Sequence, residues 1–72
     1  MVNVLKLKGK IVEKGLSIGK LAKKMNMDRA TLYRRINNNG DSFTIKEANQ
    51  MCKELDLSNE EVTAIFFSHY VA

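Results

Sequence analysis

The chain has no proline and no tryptophan, and only one cysteine, one histidine and four glycines in 72 residues. Each scarcity closes a route. Cys52 alone cannot form an internal disulfide, and with His69 as the single imidazole a four-ligand zinc site cannot be assembled, so neither metal nor cofactor is expected. His69 has no carboxylate or serine at an interpretable spacing. A glycine-rich phosphate loop, an HExxH motif and a serine or cysteine paired with histidine are all missing. The adjacent carboxylates Glu60 and Glu61 fall where a helix N-terminus accounts for them. These absences argue against an enzyme and against a small-molecule substrate. No apolar run is long enough to span a bilayer, and the opening MVNVLKLKGK lacks the continuous apolar region of a secretory signal, so the expectation is a cytoplasmic protein that makes no membrane contact.

What is present is a well-patterned helical chain. Hydrophobic residues make up 44% and charged residues 28%, enough apolar content for a core, and the length predicts one small domain over residues 1–72. Charge is segregated. Residues 1–40 carry ten Lys or Arg against Glu13 and Asp28, a balance of +8, whereas residues 41–72 carry Lys46 and Lys53 against six acids, a balance of −4. A field of that shape attracts a polyanion to the N-terminal half and leaves the acidic half to solvent or a protein contact.

Without proline, the punctuation comes from caps and glycines, and the apolar spacing throughout is helical. The first helix is expected over about residues 3–14, with Leu7 and Ile11 four apart and Leu5 and Val12 added to its apolar set, ending at Gly15. Leu16, Ser17 and Leu21 supply a staple and N-cap for a second helix over about residues 18–25, burying Leu21, Ala22 and Met25. Asn26 sits where a left-handed backbone is wanted, and Met27, Asp28 and Leu32 repeat the cap-and-staple arrangement for a third helix over about residues 29–38. At 100° per residue, Leu32 and Ile36 point inward in that helix. Ala30, Tyr33, Arg34 and Asn37 point outward, and Arg29 and Arg35 flank the buried stripe.

Thr44 with Glu47 makes a capping box for a fourth helix, stapled by Phe43 and Ala48, with Ile45, Ala48, Met51, Cys52 and Leu55 as its apolar stripe. Cys52 is expected to be a buried thiol. Ser58 with Glu61 makes a second box for a fifth helix built on Val62, Ile65 and Phe66. The expected fold is therefore all-α, a compact bundle of five short helices, the second and third of which form a helix-turn-helix, with a C-terminal tail, residues 67–72, that reads either as extended or as the end of the fifth helix.

GLSIGKLAKKMNMDRATLYRRINNNG followed by FTIKEANQMCKELDLSNEEV resembles the phage repressor and Cro-like (lambda repressor-like, XRE-type) family of helix-turn-helix regulators, over residues 4–66. The ending Ala-Ile-Phe-Phe is similar to small lytic-switch regulators of phages from Gram-positive hosts, which would place the protein in a bacterial host cell. The resemblance implies a transcription regulator whose third helix reads double-stranded DNA in the major groove. Arg29, Ala30, Tyr33 and Arg34 are the positions it assigns to base reading: arginine pairs bidentately with guanine, and alanine meets a thymine methyl. Lys20, Lys24, Arg35, Asn38 and Asn39 become candidates for phosphate contacts, which supply salt-sensitive affinity.

One departure from the family pattern stands at the start of the second helix, where relatives carry a phosphate-binding glutamine and this chain has Ile18 followed by Gly19. That pair motivates an alternative of a different class, an antirepressor whose Ile18, Gly19, Arg29, Tyr33 and Arg34 would dock on the helix-turn-helix of a co-encoded repressor. Phe67, Tyr70 and Val71 in the tail are candidate homodimer contacts. In Cro-like relatives such a contact sets two reading helices about 34 Å apart, on successive major grooves; packing back onto the first helix is the competing outcome for the tail.

Overall fold

Every helix starts at a side chain able to cap it. In the computed structural model, which describes residues 2–38 and 43–68, the elements are α1 Val4–Glu13, α2 Ile18–Lys24, α3 Arg29–Asn37, α4 Ile45–Glu54 and α5 Asn59–Phe66, with no strand among the described residues. Their N-caps are Asn3, Ser17, Asp28, Thr44 and Ser58, each with its side chain accepting from a backbone N–H of the first turn. Such a cap typically contributes about 1 kcal/mol. The capping boxes expected at Thr44/Glu47 and Ser58/Glu61 are both complete, with both partners bonded in each.

Three of the junctions use one device. After α1, α2 and α4 comes a residue with positive φ, then an apolar residue, then the next N-cap: Gly15-Leu16-Ser17, Asn26-Met27-Asp28 and Asp56-Leu57-Ser58, with φ of 73°, 54° and 50° at the first position. In each, the apolar residue's N–H reaches back to a carbonyl five residues earlier, Leu16 to Ile11 at 3.0 Å, Met27 to Ala22 at 2.8 Å and Leu57 to Cys52 at 3.0 Å. This is the Schellman arrangement, which satisfies the carbonyls a helix leaves open at its end. Because the apolar residue packs on the core, the same three residues end one helix, pin the turn and start the next.

The buried core draws on all five helices: Leu7, Ile11, Leu21, Ala22, Met25, Leu32, Ile36, Met51, Leu55 and Ile65. α2 packs on α3 and α4, and α1 packs on α5. The Asn3 N–H donates to the Ile65 carbonyl at 2.6 Å, tying the start of α1 to the last turn of α5.

Four expectations about the apolar stripes are corrected. Leu5 and Val12 are 82% and 72% exposed, because seven residues separate them and both lie on the side of α1 opposite Leu7 and Ile11. Ile45 is 83% exposed: six residues before Met51, it stands roughly 120° round the helix from it, on an end turn that no other described element covers. Cys52 is half-buried rather than buried, and what burial it has pushes its thiol pKa up, away from nucleophilic chemistry.

Candidate nucleic-acid interface

The register of α3 follows from its two anchors. Leu32 and Ile36 are fully buried, Ala30, Tyr33 and Arg34 point away from them, and Arg29 stands at the helix start beside the buried stripe; all four of these outer residues are exposed. With Asn37 and Asn38 these four line an open concavity. Asp28 fixes the start of this surface, its carboxylate accepting from the Ala30 and Thr31 N–H groups at 3.1 and 3.3 Å.

The two arginines that flank the buried stripe turn to opposite neighbours. Arg29 leans toward α2, where the position of a Cβ on Gly19 would lie 3.4 Å from its Cδ and 3.5 Å from its Nε, while its Cζ sits 5.4 Å from the centroid of the Tyr33 ring. Arg35 turns toward α4 and pairs with Glu47 at 3.1 Å. It is half-buried there, so the side expected to contact phosphate is engaged in joining α3 to the α4 capping box.

α2 contributes Lys20, Lys23 and Lys24, all exposed and grouped with Leu16 around a shallow depression. Ile18 packs against the core and Gly19 is half-buried, so this pair does not form an open apolar patch. Asn38 is exposed as the C-cap of α3. Asn39, Tyr70 and Val71 lie outside the described residues; Phe67, the described part of the proposed dimer contact, is 53% exposed.

Sequence spacing does not reveal the Arg35–Glu47 pair, the joining of Lys10 to Glu61, or the seat of Arg29 on Gly19. Each links positions ten or more apart, beyond the reach of helical periodicity. Lys23 and Asn37 are outward-pointing residues of the right type that the family pattern does not single out.

The side chains present here can do little chemistry and much recognition. Two exposed guanidinium groups, an aromatic ring, a small apolar residue and two carboxamides share one face, beside three lysines on the neighbouring helix. Among the described residues no group of His, Cys, Asp and Glu could hold a metal ion, and no helix is long and apolar enough to cross a membrane.

Comparison with protein families places this arrangement. A family model described as helix-turn-helix matches residues 7–62, and the chain belongs to that family, the XRE-type group that includes Cro and lambda-repressor-like regulators. It is a family of DNA-binding transcription regulators that act on double-stranded DNA, not of enzymes. Neither the curated proteins nor the solved structures contain a significant match to the chain.

Proposed function

We propose that this protein is a sequence-specific, Cro-like regulator of a phage genetic switch, with α3 reading bases in the major groove. The observation that carries the reading is the exposed α3 surface: Arg29, Ala30, Tyr33 and Arg34 are all exposed and line one open concavity, while Leu32 and Ile36 are buried beneath. Base edges in that groove are distinguished by the donor forks of arginine and by methyl contact with small residues. Arg29 and Arg34 read guanines, Ala30 meets a thymine methyl, and Lys20, Lys24 and Asn38 hold the phosphates on either side. Lys23 joins them. Asn39 is proposed for the same role on its place in the sequence alone. Arg35, paired with Glu47, braces α3 against α4.

The switch role rests on the resemblance of residues 4–66 to phage repressors and Cro-like proteins, and on the charge separation that turns a basic half toward DNA. A second copy joined through the tail, with Phe67 at the contact, would bring two α3 helices onto successive grooves about 34 Å apart.

The deciding experiment compares two alanine variants on DNA selected from a random duplex pool. Arg34→Ala is expected to relax preference at one base position at a cost of about 1–3 kcal/mol, whereas Lys20→Ala weakens all sequences alike and lowers the salt slope by about one unit. Equal effects from both sink the base-reading role. A complex with a co-encoded repressor that survives salt concentrations abolishing DNA binding would move the face from DNA to a protein partner.

A further inference from the structure

The outer side of α1 carries apolar side chains that the core does not use. Leu5 and Val12, seven residues apart, form one exposed stripe, and a lone aliphatic side chain on a surface would mean little. This stripe has a groove beside it. Next to the two side chains stands Gly9, with open space where a Cβ would be, and past Gly9 the surface drops into a groove of about 510 Å³ between α1 and α5, with Ala64 and Glu60 on its α5 wall. Lys10, which also lines the groove, already has Glu13 and Glu61 as partners, so a cover would not strand its charge. On the far side of the stripe from α5 stands Lys8. Across this face the order is therefore cation, ridge, groove, anion: Lys8, then Leu5 and Val12, then Gly9 and Ala64, then Glu60. Lys8 and Glu60 are both exposed, and neither has an ion-pair partner among the described residues.

We propose that this face is self-complementary and that its occupant is a second copy of the chain. A two-fold rotation that lays each Leu5–Val12 ridge in the other copy's groove reverses the order across the face, and so brings each Lys8 against the other copy's Glu60. Shape and charge are satisfied by one operation. The inference rests on the second copy proposed above and gives it a surface on α1 as well as on the tail, since Phe67 lies seven residues after Glu60 and so on the same side of α5. A face of two short helices stands at the small end of specific interfaces, and dissociation is expected in the micromolar range.

The test is sedimentation of the whole chain without DNA, from low micromolar to millimolar concentration, so that neither outcome touches base reading by α3. Wild type is expected to pass from monomer to dimer, and the double variant Leu5→Gln/Val12→Gln to need roughly tenfold more protein to do so. Lys8→Glu and Glu60→Lys, each made alone, should weaken self-association roughly tenfold, because each sets like charges together twice in the dimer. Mixed in equal amounts, the two single variants should associate as wild type does, since every contact between them then pairs opposite signs. Circular dichroism at a concentration where wild type is monomeric checks that each variant folds; glutamine is the better helix former at both α1 positions that it replaces or equal to it.

A Leu5→Gln/Val12→Gln variant that dimerises like wild type, or a mixture of the charge variants no tighter than its parts, overturns the α1 face. If Phe67→Ser then abolishes the dimer, the tail contact stands without it. Wild type that remains monomeric at millimolar concentration overturns the second copy itself, and this inference with it.

Discussion

Asp28 decides where the reading helix begins. Its one carboxylate oxygen accepts from two N–H groups of α3, and the residue before it, Met27, closes the turn over the core. Asp28→Ala removes both bonds and leaves two donors to water, so stability should fall by about 1 kcal/mol, measurable by urea unfolding. Asp28→Asn, which keeps an acceptor oxygen, should recover most of the loss. The positive-φ residues make a graded series of the same kind. Gly15 adopts its backbone without strain, Asn26 at little cost, and Asp56 at more. Asp56→Ala should therefore cost about 1 kcal/mol, since a Cβ with no compensating polar group is placed in the left-handed region. A melting midpoint for Asp56→Ala equal to wild type would show that this turn adopts another backbone in solution. Asn26 was legible in the sequence because an asparagine between two helical patterns suits a left-handed turn and little else. Asp56 was not, because an aspartate near the end of a helix is equally at home as an ordinary exposed residue.

At the scale of elements, the two capping-box glutamates each do a second job. Glu47 Oε1 accepts from the Thr44 N–H at 2.9 Å and also meets Arg35 of α3, while Glu61 accepts from the Ser58 N–H at 2.9 Å and meets Lys10 of α1. A carboxylate that caps one helix and receives a cation from another fixes the angle between the two more firmly than either contact alone. Glu47→Gln keeps an oxygen for the cap and loses the charge; Glu47→Ala loses both. Stability should fall in the order wild type, Gln, Ala, with the first step about 0.5–1 kcal/mol and the second about 1 kcal/mol. Equal stability of wild type and Gln would mean that Arg35 contributes packing and no net electrostatic gain.

The sequence made the boxes themselves visible, because their four-residue pattern is local and chemically specific. The cations that complete them were hidden, since neither Arg35 nor Lys10 differs in local context from the arginines and lysines that face solvent. For the same reason the helices and most of the core were legible from spacing, while Leu5, Val12 and Ile45 were misplaced. An apolar residue adds to a helical count whether or not another helix arrives to cover it.

Across the whole molecule the division of charge meets its counterpart at Lys10, a cation of the basic half that pairs with Glu13 at 2.6 Å and with Glu61 of the acidic half. These contacts have opposite and complementary pH signatures. The hydrogen bond from Lys10, followed by that from the Ser58 backbone, lowers the Glu61 pKa from 4.5 to about 2, and the hydrogen bonds of Lys10 to Glu13, the larger cause, and to Glu61 raise its own pKa above 10.5. For Glu61 the unfolded chain binds the proton more readily than the folded one, so stability rises with pH through that interval. Its contribution is complete above about pH 4.5 and lost as pH falls toward 2. For Lys10 the sign reverses: the contribution is complete below pH 10.5 and lost as pH climbs through the raised value. The joint between α1 and α5 is consequently strongest on a plateau between those limits, and acid should loosen it first.

Glu61→Gln isolates the effect, because glutamine can still complete the capping box but cannot titrate. Unfolding free energies should show the variant weaker than wild type at pH 7, converging on it as the pH approaches 2, with a shallower slope between pH 4.5 and 2. Lys10→Met should flatten the same acid limb, since Glu61 then loses the partner that lowers its pKa most. Curves for wild type and Glu61→Gln that stay parallel across that interval would assign the acid sensitivity to other carboxylates and remove Lys10 as the joint between the halves. DNA affinity at pH 7 should be nearly unchanged in Glu61→Gln, because the α3 face is anchored through Leu32, Ile36 and Arg35 and not through α5.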